Sequence, residues 1–172
     1  MTGTFRYTKP KRVIVGKCTA QRLAMRPKCI PVGRPRGVKA AGIRYEKTLL
    51  KALLLRFPKS GLDISPWYEY WDANGRGYCQ PDLVVYDVQH DRYVIVEIKL
   101  TNYVQADNTL NGLYKPVLAA AHDTVPAAMI IVRHLSPGIN LSRVHDTFSA
   151  AFCASFTSSP APIWHYLGKG PI

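Results

Sequence analysis

Apolar positions recur at helical spacing from Tyr45 to Phe57. Leu49, Leu50, Leu53, Leu54 and Phe57 make one stripe and Pro58 ends the run, so the first helix is predicted there. The pattern then shortens. Trp67–Trp71 is an aromatic run followed by Asn74-Gly75, a strong hairpin signal. Tyr78–Val88, carrying Leu83-Val84-Val85-Tyr86, and Arg92–Leu100 are predicted as the next two strands, joined by a polar turn at Gln89-His90-Asp91. Turns this short imply an antiparallel meander. Leu110, Leu113, Tyr114, Val117, Leu118 and Ala121 mark a second helix after Thr101-Asn102, with Pro116 predicting a kink or a later start. Ala127–Val132 reads as a buried strand. Leu141, Val144, Phe148 and Phe152 suggest a third helix, and Ile163–Leu167 a short closing strand after a linker at Thr157–Pro162. Helix, three strands, helix, strand, helix is the order of an α/β or mixed α+β domain.

The first 42 residues keep no such period. Pro10, Pro27, Pro31 and Pro35 alternate with Gly16, Gly33, Gly37 and Gly42, which predicts an extended arm over 1–42 ahead of a folded domain over 43–172. Charge sharpens that division. Met1 to Arg44 holds twelve Lys and Arg and no acid, whereas the remainder carries eleven of each sign, so the whole net charge of +12 sits in the first quarter. Such a segment attracts polyanions, of which nucleic acid is the commonest large one; a merely solubilising arm is the plainer alternative. Within 172 residues there is material for one domain, and a hydrophobic fraction of 47% excludes general disorder. No apolar run reaches the roughly 18 residues of a membrane span. Val13-Ile14-Val15 is too short for a signal-peptide core, so an intracellular, soluble protein is expected. Cys18, Cys29, Cys79 and Cys153 form no C-x-x-C pair, which speaks against zinc and iron–sulfur sites. Neither a Ser/Cys–His arrangement nor a phosphate-cradling glycine loop stands out.

Chemistry concentrates in the third strand. Period two sets Val94, Val96, Ile98 and Leu100 on one face and Tyr93, Ile95, Glu97 and Lys99 on the other. A hairpin turning at 89–91 lays Asp82 beside Glu97 and Lys99. Two converging carboxylates can hold Mg²⁺ through oxygen, and a lysine beside them can orient water or neutralise charge on a phosphate. Glu46, three residues before Leu49 and four before Leu50, points along the inward stripe, where a carboxylate needs a cation, a metal or several donors. The plainer alternative is a first-turn glutamate favoured by the helix dipole.

Gln80-Pro81-Asp82, fourteen residues, then Glu97-Ile98-Lys99 resembles the PD-(D/E)XK nuclease superfamily, of restriction-endonuclease-like fold, over about Tyr45 to Val132. The resemblance implies an αβββαβ core with a central mixed sheet flanked by helices. It implies a metal-dependent deoxyribonuclease with Asp82, Glu97 and the Ile98 carbonyl as ligands of Mg²⁺, for which Mn²⁺ can substitute. Lys99 would assist the attacking water, and Glu46 would complete the metal shell or hold its waters. The implied partner is DNA, duplex, branched or ended. The cations Lys9, Lys11, Arg12, Arg34, Arg36 and Lys39 of the arm are candidate phosphate contacts, as is Lys115, spaced to lie with Asn111 on the second helix. The build is also similar to small bacteriophage-encoded nucleases, including those acting on DNA ends in head completion. That setting would place the chain in the host cytoplasm or on the virion, with a second copy or a virion component as protein partner. One departure is clear: where related nucleases carry Gln and Tyr four apart, Leu110 precedes Tyr114 and Gln105 is half a turn out of phase. The rival readings are a catalytically silent member of the fold that binds nucleic acid or builds a virion, and an RNA-binding protein.

Overall fold

The computed structural model describes residues 13–30, 37–56, 61–101, 103–135, 137–147 and 150–167. Its frame is a central mixed sheet with helices on both faces. The strands are β2 (Leu62–Ile64), β5 (Leu83–Asp87), β6 (Arg92–Lys99), β7 (Ala127–Val132), β8 (Val144–His145) and β9 (Ile163–His165), in the order β2-β5-β6-β7-β9-β8. The first three are antiparallel neighbours; from β6 onward every pairing is parallel. A separate antiparallel sheet joins β1 (Thr19–Leu23), β3 (Trp67–Asp72) and β4 (Gly75–Cys79) in the order β1-β3-β4.

Alternation along β6 divides the core as period two requires. Val94, Val96 and Ile98 pack with Tyr45, Leu49, Leu50 and Leu53 of α1 (Gly37–Arg56) and with Phe152, Phe156 and Trp164. Ile95 faces the other way, among Leu110, Leu113, Tyr114, Val117 and Leu118 and the small-sheet residues Tyr68, Tyr70 and Cys79. β7, flanked by sheet on both edges and by core on both faces, is buried at every position, which explains its unbroken apolar run. Each of these fully buried aliphatic side chains stabilises the fold by about 1.5–3 kcal/mol. Among the described residues no helix is long and apolar enough to cross a membrane.

Several sequence expectations change. The arm is not wholly extended: β1 pairs with β3, and α1 begins at Gly37, so a boundary at 42 cuts through a helix. The strand predicted over Tyr78–Val88 is two strands in two sheets. Pro81 has no N–H to continue a ladder, and the chain leaves the small sheet after Cys79 and enters the large one at Leu83. Trp67–Trp71 therefore belongs to the small sheet, and the first strand of the central meander is the short β2 instead. The third predicted helix is absent from 141–147. Asn140 caps a single 3₁₀ turn through Oδ1, which accepts from the Ser142 N–H at 3.0 Å, and Val144-His145 then pairs with Ile163-Trp164; among the described residues of this stretch the α-helix is Ala150–Ala154 (α4). Pairing with a waiting strand edge outweighs the weak helical spacing.

Pro116 does distort the second helix. α2 (Tyr103–Thr109) passes through a π-helical turn, Leu110–Tyr114, into α3 (Lys115–His122), where Asp123 adopts the left-handed conformation at the end. Pro116 has no N–H for the carbonyl of Gly112, four residues before it; that oxygen accepts from the Ile14 N–H at 2.8 Å. The N-terminal segment is thereby fastened to the helix where proline disturbs it.

Candidate active site

Asp82 lies just before β5 and Glu97 near the end of β6. The pairing Leu83↔Val96 brings them opposite one another, as a hairpin at 89–91 requires. Asp82 is gripped at both ends. Its Oδ2 accepts from the Ile98 N–H at 2.8 Å, while its backbone oxygen accepts from the Ser65 N–H at 2.9 Å. Ser65 holds a left-handed conformation, φ 49°, and its own carbonyl accepts from Gln80 Nε2 at 2.9 Å. Gln80 is thus engaged in bracing the loop. Its backbone oxygen in turn accepts from the Tyr114 hydroxyl at 3.1 Å. The brace formed by Ser65 and Tyr114 had no signal in the sequence, because it joins three distant segments.

Glu97 is only 2% exposed, and Lys99 donates to its Oε1. The same ammonium lies 3.7 Å from Asp82 Oδ2. A buried carboxylate is costly without such a cation. Burial works against the Lys99 charge, but Glu97 and Asp82 outweigh it, with Glu46 adding to them, and hold the ammonium above the ordinary lysine value. Burial also pushes the nearby Cys79 thiol up, with Cys18 and Glu97 contributing, so that thiol stays neutral.

Asp82, Glu97, Ile98 and Lys99 therefore come together as the spacing suggested. Glu46, half-buried on α1, is close enough for its charge to act on Lys99. It does not join the two carboxylates in a ligating group: among the described residues no set of three or more His, Cys, Asp or Glu could hold a metal ion. The donors present are two carboxylates and the Ile98 carbonyl, which leaves the strand on the same side as the Ile98 N–H and so faces Asp82. An all-oxygen set of this kind fits a hard cation such as Mg²⁺, which keeps several waters.

Lys9, Lys11, Arg12, Arg34 and Arg36 lie outside the described residues; Lys39 does belong to the first turns of α1, as a backbone position. Lys115 is half-buried at the start of α3, where burial lowers its pKa against the opposing charge of Asp107. Of the strand aromatics, Tyr68 and Tyr70 are fully buried, while Trp71 is partly exposed beside the Arg76 guanidinium. His90 pairs with Asp87 in its turn, and His122 contacts the Tyr68 hydroxyl and stacks on Tyr93. All four cysteines are free.

A cleft of about 390 Å³ has in its lining Leu100, the residue that follows Lys99. Arg44, Tyr45 and Thr48 of α1 form one wall and Leu100, Arg133, His134 and Leu167 the other. In the sequence Arg44 is one of the twelve cations of the basic N-terminal stretch, and no pattern there singles out Arg133. No protein-family model, curated protein or solved structure matches the chain.

Proposed function

We propose that this chain is a Mg²⁺-dependent DNA nuclease of the PD-(D/E)XK type. One observation carries the reading: Asp82, just before β5, and Glu97, near the end of β6, both lie within ion-pairing distance of the Lys99 ammonium at one end of the central sheet. The order α1, then β2, β5 and β6 antiparallel, then α2–α3, then β7 parallel to β6, supports it too. Mg²⁺ held by Asp82, Glu97 and the Ile98 carbonyl would supply Lewis-acid polarisation of a phosphoryl oxygen and a more acidic water. The chain's own groups do the rest. The Ile98 N–H fixes the Asp82 carboxylate, and the Ser65 N–H holds the Asp82 backbone carbonyl. Lys99 is a charged donor, suited to orienting a water or to neutralising charge that builds on phosphate oxygens. Glu46 biases that ammonium from the helix side.

The second reading is a catalytically silent nucleic-acid-binding or virion component. It is favoured by the small number of carboxylates that converge and by the engagement of Glu97 with Lys99. Incubating the purified protein with linear, circular and branched DNA, in Mg²⁺ and in EDTA, decides between them. Metal-dependent cleavage is expected, lost by about a hundredfold or more in Asp82→Asn and Glu97→Gln, with metal-free DNA binding equal or tighter. Binding without cleavage of any substrate would favour the silent reading.

A further inference from the structure

β6, β7 and β9 run parallel and end at Lys99, Val132 and His165. Leu100, Arg133, His134 and Leu167, all lining the cleft, lie at most two residues beyond those ends. Crevices outside the carboxyl ends of parallel strands are where open α/β sheets receive ligands. This crevice has a definite chemistry. Arg44 and Arg133 contribute guanidinium groups, His134 an imidazole and Thr48 a hydroxyl, and among the described residues no carboxylate lines it. Arg44 and Thr48 are one helical turn apart, with the Thr48 hydroxyl bonded to the Arg44 carbonyl at 3.0 Å.

Arg133 is held in place. Its N–H donates to the Lys99 carbonyl at 3.2 Å, its carbonyl accepts from His165 Nε2 at 3.1 Å, and its guanidinium lies 5.8 Å from the Tyr45 ring centre. Tyr45 is fixed in turn by donating to the Tyr166 carbonyl at 2.6 Å. Neither Arg44 nor Arg133 makes an ion pair among the described residues. Two guanidinium groups with open donor forks, one of them preorganised, suit a tetrahedral oxyanion better than any neutral ligand. Through that backbone hydrogen bond Arg133 is tied to the end of β6, the strand that carries Glu97 and Lys99.

We propose that this cleft is a phosphate subsite, in which Arg44 and Arg133 hold a backbone phosphate of the nucleic-acid strand flanking the one at Asp82 and Glu97. The identity of that strand as substrate rests on the nuclease reading; the subsite itself is tested by binding alone.

The test uses the full chain carrying Asp82→Asn, in EDTA, with a fluorescent 20-base-pair duplex titrated across a salt series. Arg44→Gln and Arg133→Gln are each expected to flatten the slope of log affinity against log salt by about 0.9. Each should weaken binding by about eightfold at 0.1 M salt, taking 1 M as reference. Lys47→Gln/Lys51→Gln, at two exposed positions of the same helix outside the cleft, is expected to change affinity less than either. Thermal melts check folding, and the exposed Arg44 keeps the test decisive if Arg133→Gln does not fold. An unchanged slope in Arg44→Gln overturns the subsite, as does an equal loss in the lysine variant, which would mean diffuse attraction. If the native chain fails to cleave DNA in Mg²⁺ while both arginine variants lose slope, the subsite stands and the nuclease reading falls.

Discussion

Lys99 has two duties that pull on the same ammonium. It neutralises Glu97, which is almost fully buried, and under the proposed nuclease function it is also the charge offered to a substrate. Removing one member of such a pair leaves a desolvated charge uncompensated, which is costlier than removing both. Lys99→Met should therefore destabilise the protein by about 2–4 kcal/mol, and adding Glu97→Gln should restore most of that loss. A thermal or urea melt of the four chains measures the cycle. If all four chains melt together, the pair contributes nothing to folding. Asp82 differs in kind, since it is fixed by a backbone N–H and by the Ser65 loop.

Two elements depend on single residues at points of close approach. A methyl group added at Gly112 would stand 3.2 Å from Val13 Cγ2, so glycine is what lets the N-terminal segment lie against the helix. Gly112→Ala asks Val13 to give by tenths of an ångström while gaining helix propensity, and its net effect should stay within about 1 kcal/mol. Gly112→Leu overfills the contact and should cost about 1–3 kcal/mol. Hydrogen exchange at the Ile14 amide reads this directly: it should accelerate in the leucine variant.

In the small sheet, Glu69 of β3 accepts from Gln21 of β1 at 2.8 Å and pairs with Arg76 of β4, tying all three strands. Burial alone would raise its pKa, but the donors Gln21, Arg76 and Tyr78 hold the carboxyl below its ordinary 4.5. A depressed folded-state pKa stabilises above the unfolded value, and that contribution disappears as pH falls through the folded one. The stability of the native chain should thus drop more steeply below pH 4.5 than that of Glu69→Gln, which lacks this titration. Denaturant midpoints from pH 6 to 3 provide the comparison, and parallel curves would refute the assignment.

At the scale of the molecule, the basic N-terminus is partly structure and partly charge. Ile14, Cys18 and Ala20 pack against the core, and Arg22 reaches Asp63 of β2 at 2.8 Å, joining the two sheets. Deleting residues 1–12 removes the cations Arg6, Lys9, Lys11 and Arg12 while leaving these contacts alone. That truncation should melt within about 2 °C of the full chain and lose up to about 3.6 in its salt slope on duplex DNA. Deleting 1–23 also strips β1 from β3 and the Ile14 bond from Gly112, and should lower Tm by roughly 4–8 °C. Equal melting of the two truncations would mean that β1 contributes no stability.

What the sequence determined by itself was local or periodic. The stripe Leu49–Leu53, the alternation of β6, the apolar run of β7 and the Asp82–Glu97–Lys99 convergence all follow from spacing along one helix or across one hairpin. The mixed sheet and its flanking helices followed from the order of those elements. Only the tertiary structure decided the rest. Thr19–Leu23 has no apolar alternation and becomes a strand because β3 presents it with an open edge. Val144-His145 does so because β9 is already parallel beside β7. The chain changes sheets at Pro81, a position that reads as ordinary strand until two separate edges are available. The cleft draws Arg44 from α1 and Arg133 from the end of β7, residues 89 positions apart, and a pattern with a period of a few residues carries no information about such a meeting. Spacing determines which way a side chain points; the packing of elements determines what it meets.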